Sequence, residues 1–350
     1  MTLRSLLRKF RANRDFLTLQ PEELVTSAYR ALLRREPDPS SLQTYSSAIR
    51  NGQDLLWLLQ SLVQTDEFLL HHSGSNSPLD TAPPMDVQMS ARNPEEHRAL
   101  WDHISSVWSK FGSTDPYWSV LTDERFRSKN MTDEASIEAF YATGEGELLR
   151  LEAWLRRNAL ELTPDSICAE YGCGVGRLTH WLARRFRRVV AFDISEPHLK
   201  GAHDYLSRHG IHNVDLILVR GNADLQMISD VDLFYSAIVL QHNPPPIMTD
   251  ILERAFAGLK KGGYCFFQIP TYSANYSFSM ESYWTDVAAN KGMEMHFLPQ
   301  KSVLELGSQY EVFPIEIQPD AAIGNRTCWI SNTFLMMKTL ESLKSKTGCS

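Results

Sequence analysis

The 350-residue chain has only five cysteines, and they follow no pattern. Cys168, Cys173, Cys265, Cys328 and Cys349 make neither a C-x-x-C pair nor a matched cysteine/histidine spacing, which leaves no readable zinc site or disulfide framework and favours a reducing compartment. No apolar run approaches the roughly 18 residues of a membrane span. The N-terminus also lacks the unbroken apolar segment of a secretory signal, so a cytoplasmic protein is expected. Positive charge is not in excess: 35 Lys and Arg against 42 Asp and Glu give a net charge of −7, with a pI near 5.9. Such a chain has no global attraction for nucleic acid, and no nucleic-acid partner is expected. The aspartates are dispersed, which gives no cluster of hard oxygen ligands, and no metal is implied. What is present is 43% hydrophobic residues, enough for one full-sized core and a smaller second module.

Along the chain, residues 1–20 form a basic amphipathic segment. Leu3, Leu6, Leu7 and Phe10 fall at helical spacing between Arg4, Arg8, Lys9, Arg11 and Arg14. Residues 1–15 therefore suit peripheral contact with an anionic inner membrane face, with a solvated or protein-docked helix as the alternative. Residues 21–72 read as a helical unit. Leu24, Val25, Ala28, Tyr29 and Leu32 share one face, and Asp38 and Pro39 mark the cap and first position of a second helix. Leu55, Leu56, Leu59, Leu62 and Val63 carry a third face. The run A-Y-R-A-L-L-R-R-E-P-D-P-S-S-L, followed by a helix and Q-T-D-E-F-L, resembles a small bacterial helical domain of unknown function. That domain is often fused to polysaccharide-modifying enzymes, and the resemblance implies a docking partner rather than chemistry. Residues 73–95, rich in serine and proline, read as a flexible linker. Residues 96–160 are helical and aromatic, and 341–350 form a tail.

From 161 to 340 short β-rich runs alternate with helical ones: I-C-A-E-Y, V-V-A-F-D-I, D-L-I-L-V-R, V-D-L-F-Y-S-A-I-V-L and Y-C-F-F-Q-I. This alternation predicts an α/β fold with a Rossmann-like, mostly parallel sheet and helices on both faces. E-V-F-P-I-E-I-Q and C-W-I-S-N-T-F-L-M-M-K have no long helix between them and are expected to pair as antiparallel strands at one sheet edge.

The loop after the first of these strands narrows the ligand. In C-A-E-Y-G-C-G-V-G-R-L-T-H-W, Cys168 to Trp181, three glycines alternate. There is no G-x-x-x-x-G-K-[ST], so a nucleoside triphosphate is excluded. The dinucleotide pattern G-x-G-x-x-G places Arg177 where the third glycine is needed for tight packing, which argues against an NAD-dependent oxidoreductase. What stands instead is Glu170 ahead of Gly172, Gly174 and Gly176, with Asp193 closing the next strand. Glu170 can serve an ammonium, backbone N–H groups can serve a carboxylate, and Asp193 can accept from ribose hydroxyls. S-adenosyl-L-methionine has these parts and no phosphate.

The constellation resembles the class I S-adenosylmethionine-dependent methyltransferases over about 96–338. The resemblance implies a seven-stranded sheet, cofactor contacts from Glu170, Gly172, Cys173, Gly174, Gly176, Arg177, Asp193 and Ile194, and an adenine segment at Asn222, Ala223 and Asp224. It places Ser236 and Ile238 near the methionine end. F-Y-A-T-G-E and P-Y-W-S-V-L resemble the family's helical cover, from which Tyr141 and Trp118 are the candidates to touch ligand; ordinary aromatic packing is the alternative. Methyl transfer needs an acceptor held in line behind the methyl, and a hydroxyl acceptor also needs a base. His242, just past the fourth strand, is that candidate, with His296 and Glu281 behind it; the alternative is a histidine bonded to backbone. The acceptor is expected to be a sugar hydroxyl of a bacterial surface polysaccharide or lipid-linked precursor. A small metabolite acceptor, or a cofactor-binding adaptor without turnover, are the competing readings.

Overall fold

The structure is a computed structural model, and it describes residues 20–33, 35–63, 65, 67, 84–274, 276–287, 292–324 and 329–340. The described residues fall into two compact units, divided between Pro84 and Met85. The basic segment 1–15 lies outside the described residues.

The first unit holds three helices, α1 (Pro21–Leu33), α2 (Pro39–Arg50) and α3 (Leu55–Val63). Asp38 caps α2 by accepting the Ser41 N–H at 2.9 Å, with Pro39 in the first turn where a missing N–H costs nothing. Leu24, Val25, Ala28, Tyr29 and Leu32 of α1 bury against Leu58, Leu59 and Leu62 of α3.

The expected linker, 73–95, lies outside the described residues up to 83, and its remainder, 84–95, is structured. Asp86–Val87 (β1) pairs in parallel with Ser277–Phe278 (β7), and Asn93 caps the helix α4 (Pro94–Thr114) by accepting the Glu96 N–H at 2.9 Å. Val87 and Met89 pack onto the core, which serine-proline composition did not disclose.

The second unit is built on a seven-stranded sheet with order β4-β3-β2-β5-β6-β9-β8. Its strands are β2 (Ile167–Tyr171), β3 (Arg188–Asp193), β4 (Val214–Leu218), β5 (Val231–Ser236), β6 (Leu259–Ser273), β8 (Val312–Asp320) and β9 (Trp329–Lys338). The pairs among β2 to β6 are parallel, and β8 pairs antiparallel with β9 at the edge, as the absence of an intervening long helix predicts. The K-K-G-G run, Lys260 to Gly263, belongs to β6, with Gly262 at φ 78°. Side chains alternate between two apolar layers: Ala169 and Tyr171 enter one, Cys168 the other. The first layer is covered by α4, α10 (Pro245–Gly258) and α12 (Gln300–Gln309), the second by α6 (Glu134–Arg157) and α7 (Thr179–Arg185). Strand order reverses beside β2, and the crevice outside its carboxyl end is where open α/β sheets bind ligands.

Candidate active site

The glycine loop begins where β2 stops. Gly172 and Cys173 both donate their N–H to Phe192 O, at 2.8 and 3.0 Å, which folds the chain across the end of β3. Gly172 and Gly174 have φ of 80° and 54°, the left-handed region that side chains resist. A Cβ on Gly172 would strike Val239, and one on Gly174 would strike Val120, so the loop is as bare as its surroundings demand. The Gly174 N–H donates to Asp193 Oδ2 at 2.8 Å and the Ser195 N–H to Oδ1 at 2.8 Å. Asp193 thus locks the loop to the start of helix α8 (Glu196–Arg208) while each oxygen keeps a lone pair.

Glu170 is 4% exposed, and among the described residues its carboxylate accepts one hydrogen bond, from Thr179 Oγ1 at 2.6 Å. Burial pushes its carboxyl up to about 7, and Asp193 adds to that; the Thr179 bond and the Arg177 guanidinium oppose it. A buried carboxylate poised near neutrality, with a single hydroxyl on it, is a receptor for a cation.

The crevice has a volume of about 830 Å³ including its mouth. The loop contributes Glu170, Gly172, Cys173, Gly174 and Arg177 to its lining; β3 contributes Asp193, followed by Ile194; Ile238 and His242 come from beyond β5. The sequence reading therefore brought together residues from three strand ends. It missed the roof. Trp108 of α4 and Ser119 and Val120 of α5 (Pro116–Val120) close over the loop, and Ser119 Oγ lies 2.8 Å from His198 Nε2. Ser119 and Val120 belong to the P-Y-W-S-V-L cover motif, whose named candidate was Trp118, whereas Trp108 lies outside both cover motifs.

Several expected residues lie elsewhere. Tyr141 is 2% exposed and outside the crevice. Its hydroxyl donates to Val175 O at 2.7 Å, its ring stacks on Tyr205, and its carbonyl accepts Trp181 Nε1–H at 2.8 Å, so it braces the loop from behind. Trp118 packs under the Arg127 guanidinium, 3.4 Å from the ring centre, and does not line the crevice. Gly176 does not reach it either: a Cβ there would sit 3.2 Å from Ala202 Cβ, so this glycine serves the close approach of α8. Ser236 is fully buried and donates to Tyr171 O at 3.0 Å. Asn222, Ala223 and Asp224 open the short helix α9 (Asn222–Leu225), outside the crevice lining. Asp224 accepts the Arg220 N–H at 2.7 Å, while Asn222 Oδ1 is buried with no hydrogen-bond partner among the described residues. Glu281 is exposed on α11 (Met280–Val287), outside the lining.

Beyond β5 the chain turns sharply, although the apolar run continues to Leu240. Ile238 adopts φ 61°, a conformation that costs a β-branched residue roughly 1–3 kcal/mol. Its N–H donates to Gln268 Oε1 at 3.0 Å, and Gln268 Nε2 donates to Ser331 Oγ at 2.6 Å, which holds the turn from two strands away. The short 3₁₀ turn Leu240–His242 follows. His242 Nδ1 lies 2.7 Å from Glu294 O; a carbonyl only accepts, so the proton sits on Nδ1 and Nε2 is the acceptor, taking a hydrogen bond from the Gln241 Nε2 amide at 3.3 Å. Burial lowers the imidazole to about 4, against the raising effect of the Glu294 carbonyl bond, so the ring is neutral at pH 7. Trp108 stands with its ring centre 5.2 Å from that of His242.

Residues 169–263 match a family model described as a methyltransferase domain. Over 94 residues the chain is 28% identical to a tRNA/tmRNA (uracil-C(5))-methyltransferase of a Nitratiruptor species, covering 24% of this chain. The chain spans about a quarter, 26%, of the length of that curated relative. Among solved structures, it is similar to a magnesium protoporphyrin IX methyltransferase from Synechocystis PCC 6803 with bound SAH, at 14% identity and a TM-score of 0.45, covering 67% of this chain and 99% of that one. It is also similar to an S-adenosylmethionine-dependent methyltransferase from Clostridium acetobutylicum ATCC 824, at 13% identity and a TM-score of 0.40, covering 54% of this chain and 89% of that one.

Proposed function

Taking residues 169–263 as a class I methyltransferase domain, we propose that the protein is an S-adenosyl-L-methionine-dependent methyltransferase acting on a sugar hydroxyl of a bacterial surface polysaccharide or its lipid-linked precursor. The observation that carries the reading is the pair of buried carboxylates, Glu170 and Asp193, at adjacent parallel strand ends around a loop too tight for side chains. S-adenosyl-L-methionine is the cofactor; when bound it supplies an electrophilic methyl carbon on a cationic sulfur.

The chain's own groups do the rest. Glu170 binds the ammonium end, and Asp193 offers its remaining lone pairs to ribose hydroxyls. The roof of Trp108, Ser119 and Val120 excludes water, which strengthens each of these contacts. A hydroxyl acceptor holds its proton far above neutral pH; on replacing the Gln241 amide as the partner of Nε2, it gives that proton to neutral His242 as the oxygen reacts. Beside His242 the lining includes Trp108 and Asn243, an aromatic face and an amide suited to a neutral hydroxyl, and the arginine of the lining, Arg177, belongs to the glycine loop. The choice of a surface glycan is supported by the resemblance of 21–72 to a domain fused to polysaccharide-modifying enzymes; those helices would dock a partner, and residues 1–15 would touch the inner membrane face. Among the described residues no helix is long and apolar enough to cross a membrane.

The close roof favours one second reading, a small metabolite acceptor. Incubation with methyl-labelled cofactor and either glycan or small-metabolite extracts of the source cell separates the two. Label in neither fraction, together with no calorimetric heat for the cofactor, would remove the enzyme reading; heat without transfer would leave an adaptor.

A further inference from the structure

Glu294 belongs to none of the motifs above. It lies on the irregular strap 292–299, after α11 and beside the turn that carries His242. Its carboxylate is largely buried and meets three side chains from three elements. His103 Nε2 of α4 lies 2.8 Å from Oε1, His296 Nε2 of the strap lies 2.8 Å from Oε2, and the Tyr283 hydroxyl of α11 donates to Oε2 at 3.0 Å. His296 extends the chain: its Nδ1 lies 2.8 Å from the Tyr276 hydroxyl, and its backbone N–H donates to Gln241 O at 2.7 Å. The Glu294 carbonyl is the group that accepts His242 Nδ1–H. Burial raises the carboxyl, but the bonds from His296, His103 and Tyr283 outweigh it and hold Glu294 below the ordinary carboxylate value.

A neutral imidazole can carry its proton on either nitrogen, and only one form leaves Nε2 free to accept. The choice falls to whichever group faces Nδ1. Here that group is a main-chain carbonyl on an irregular segment, and such a carbonyl is only as fixed as the segment.

We propose that Glu294 is the positioning residue of the base: by gathering His103, His296 and Tyr283 onto one carboxylate, it fixes the strap so that its own carbonyl selects the Nδ1–H form of His242. Because His103 sits on the roof helix α4, the same carboxylate makes the alignment of His242 depend on a closed roof. The catalytic meaning rests on His242 as base; the selection of its tautomer does not.

The test reads the tautomer directly, in the full-length protein without acceptor. In protein labelled with ¹⁵N at histidine, the ring-nitrogen pair missing from the His242→Ala spectrum belongs to His242. In the unsubstituted protein it shows a protonated Nδ1 and an unprotonated Nε2. Glu294→Ala is expected to give a mixture of both forms, to move the titration of His242 further down, since the Glu294 carbonyl bond and carboxylate charge both raise it, and to lower transfer of labelled methyl to glycan extract about tenfold to a hundredfold with cofactor affinity unchanged. Glu294→Gln, which keeps the size and removes the charge, is read the same way if the alanine variant does not fold. A single Nδ1–H form with an unmoved titration in the folded variants would overturn the proposal, and so would their retention of full turnover. Unchanged turnover in His242→Ala would instead sink the base role while leaving the tautomer result standing.

Discussion

Replacing Glu170 by glutamine should stabilise the protein and cripple its site at the same time. Burial raises the carboxyl from an ordinary 4.5 to about 7. The folded state therefore holds a proton that the unfolded chain has released, across the interval from 4.5 to about 7. At about 1.4 kcal/mol per pH unit, that interval makes the ionised side chain cost roughly 3 kcal/mol of stability at about pH 8. The stability that goes with the neutral form is fully present below 4.5 and is lost as pH rises through about 7. Glutamine never ionises, and its carbonyl oxygen still accepts the Thr179 hydroxyl. Glu170→Gln should thus match the parent near pH 4.5 and exceed it at about pH 8 by up to roughly 3 kcal/mol, on the order of 5–10 °C in Tm for a unit of this size. Binding moves the opposite way, because the amide cannot hold a buried ammonium: the Kd for S-adenosyl-L-methionine should rise about a hundredfold, the size expected for losing a charge-assisted hydrogen bond. In the parent, affinity should itself fall about tenfold per pH unit below about pH 7, where the ligand must displace a proton. Scanning calorimetry at the two pH values, paired with titration calorimetry, reads both effects. A glutamine variant less stable than the parent at the higher pH, or one that binds the cofactor equally well, would refute the account of Glu170 as a buried cation receptor.

Four further outcomes are expected. His242→Ala should lower turnover about 10²–10⁴-fold while changing cofactor affinity little, as measured by label transfer beside calorimetry. Since His242 is held neutral down to about 4, its contribution to stability is complete above 6.5 and lost as pH falls toward 4; the urea midpoint of the parent should drop across that interval more than that of His242→Ala. Gly144→Ala should destabilise by about 1–3 kcal/mol, because its Cβ would press on Arg177 O and lie 2.8 Å from Trp181 Cδ1, where α6 meets the loop; a thermal melt reads it. Tyr141→Phe should cost about 1 kcal/mol of stability and a few-fold in cofactor affinity with turnover unmoved, since it severs only the brace to Val175 O. A hundredfold loss of affinity would instead place Tyr141 against the ligand.

Periodicity and motif spacing by themselves determined the sheet, its antiparallel edge and the loop with its two acids. Strand alternation and the glycine spacing are local, and each is fixed by backbone sterics and burial within a few residues. The same holds for Asp38 capping α2 from a D-P pair. What only the tertiary structure decided is which side chains share the crevice. Tyr141 and Trp118 were selected by aromatic character, yet Trp108, Ser119 and Val120 of the same cover face the loop. Which face of a cover helix points inward is set by packing against the sheet, since that helix is apolar on more than one side. The turn at Ile238, beyond β5, is held by Gln268, 30 residues away, and His242 takes its tautomer from Glu294, 52 residues away. Hydrogen bonds at such separations leave no spacing to read: the chain states that a histidine follows the fourth strand, and only the fold states which nitrogen carries its proton.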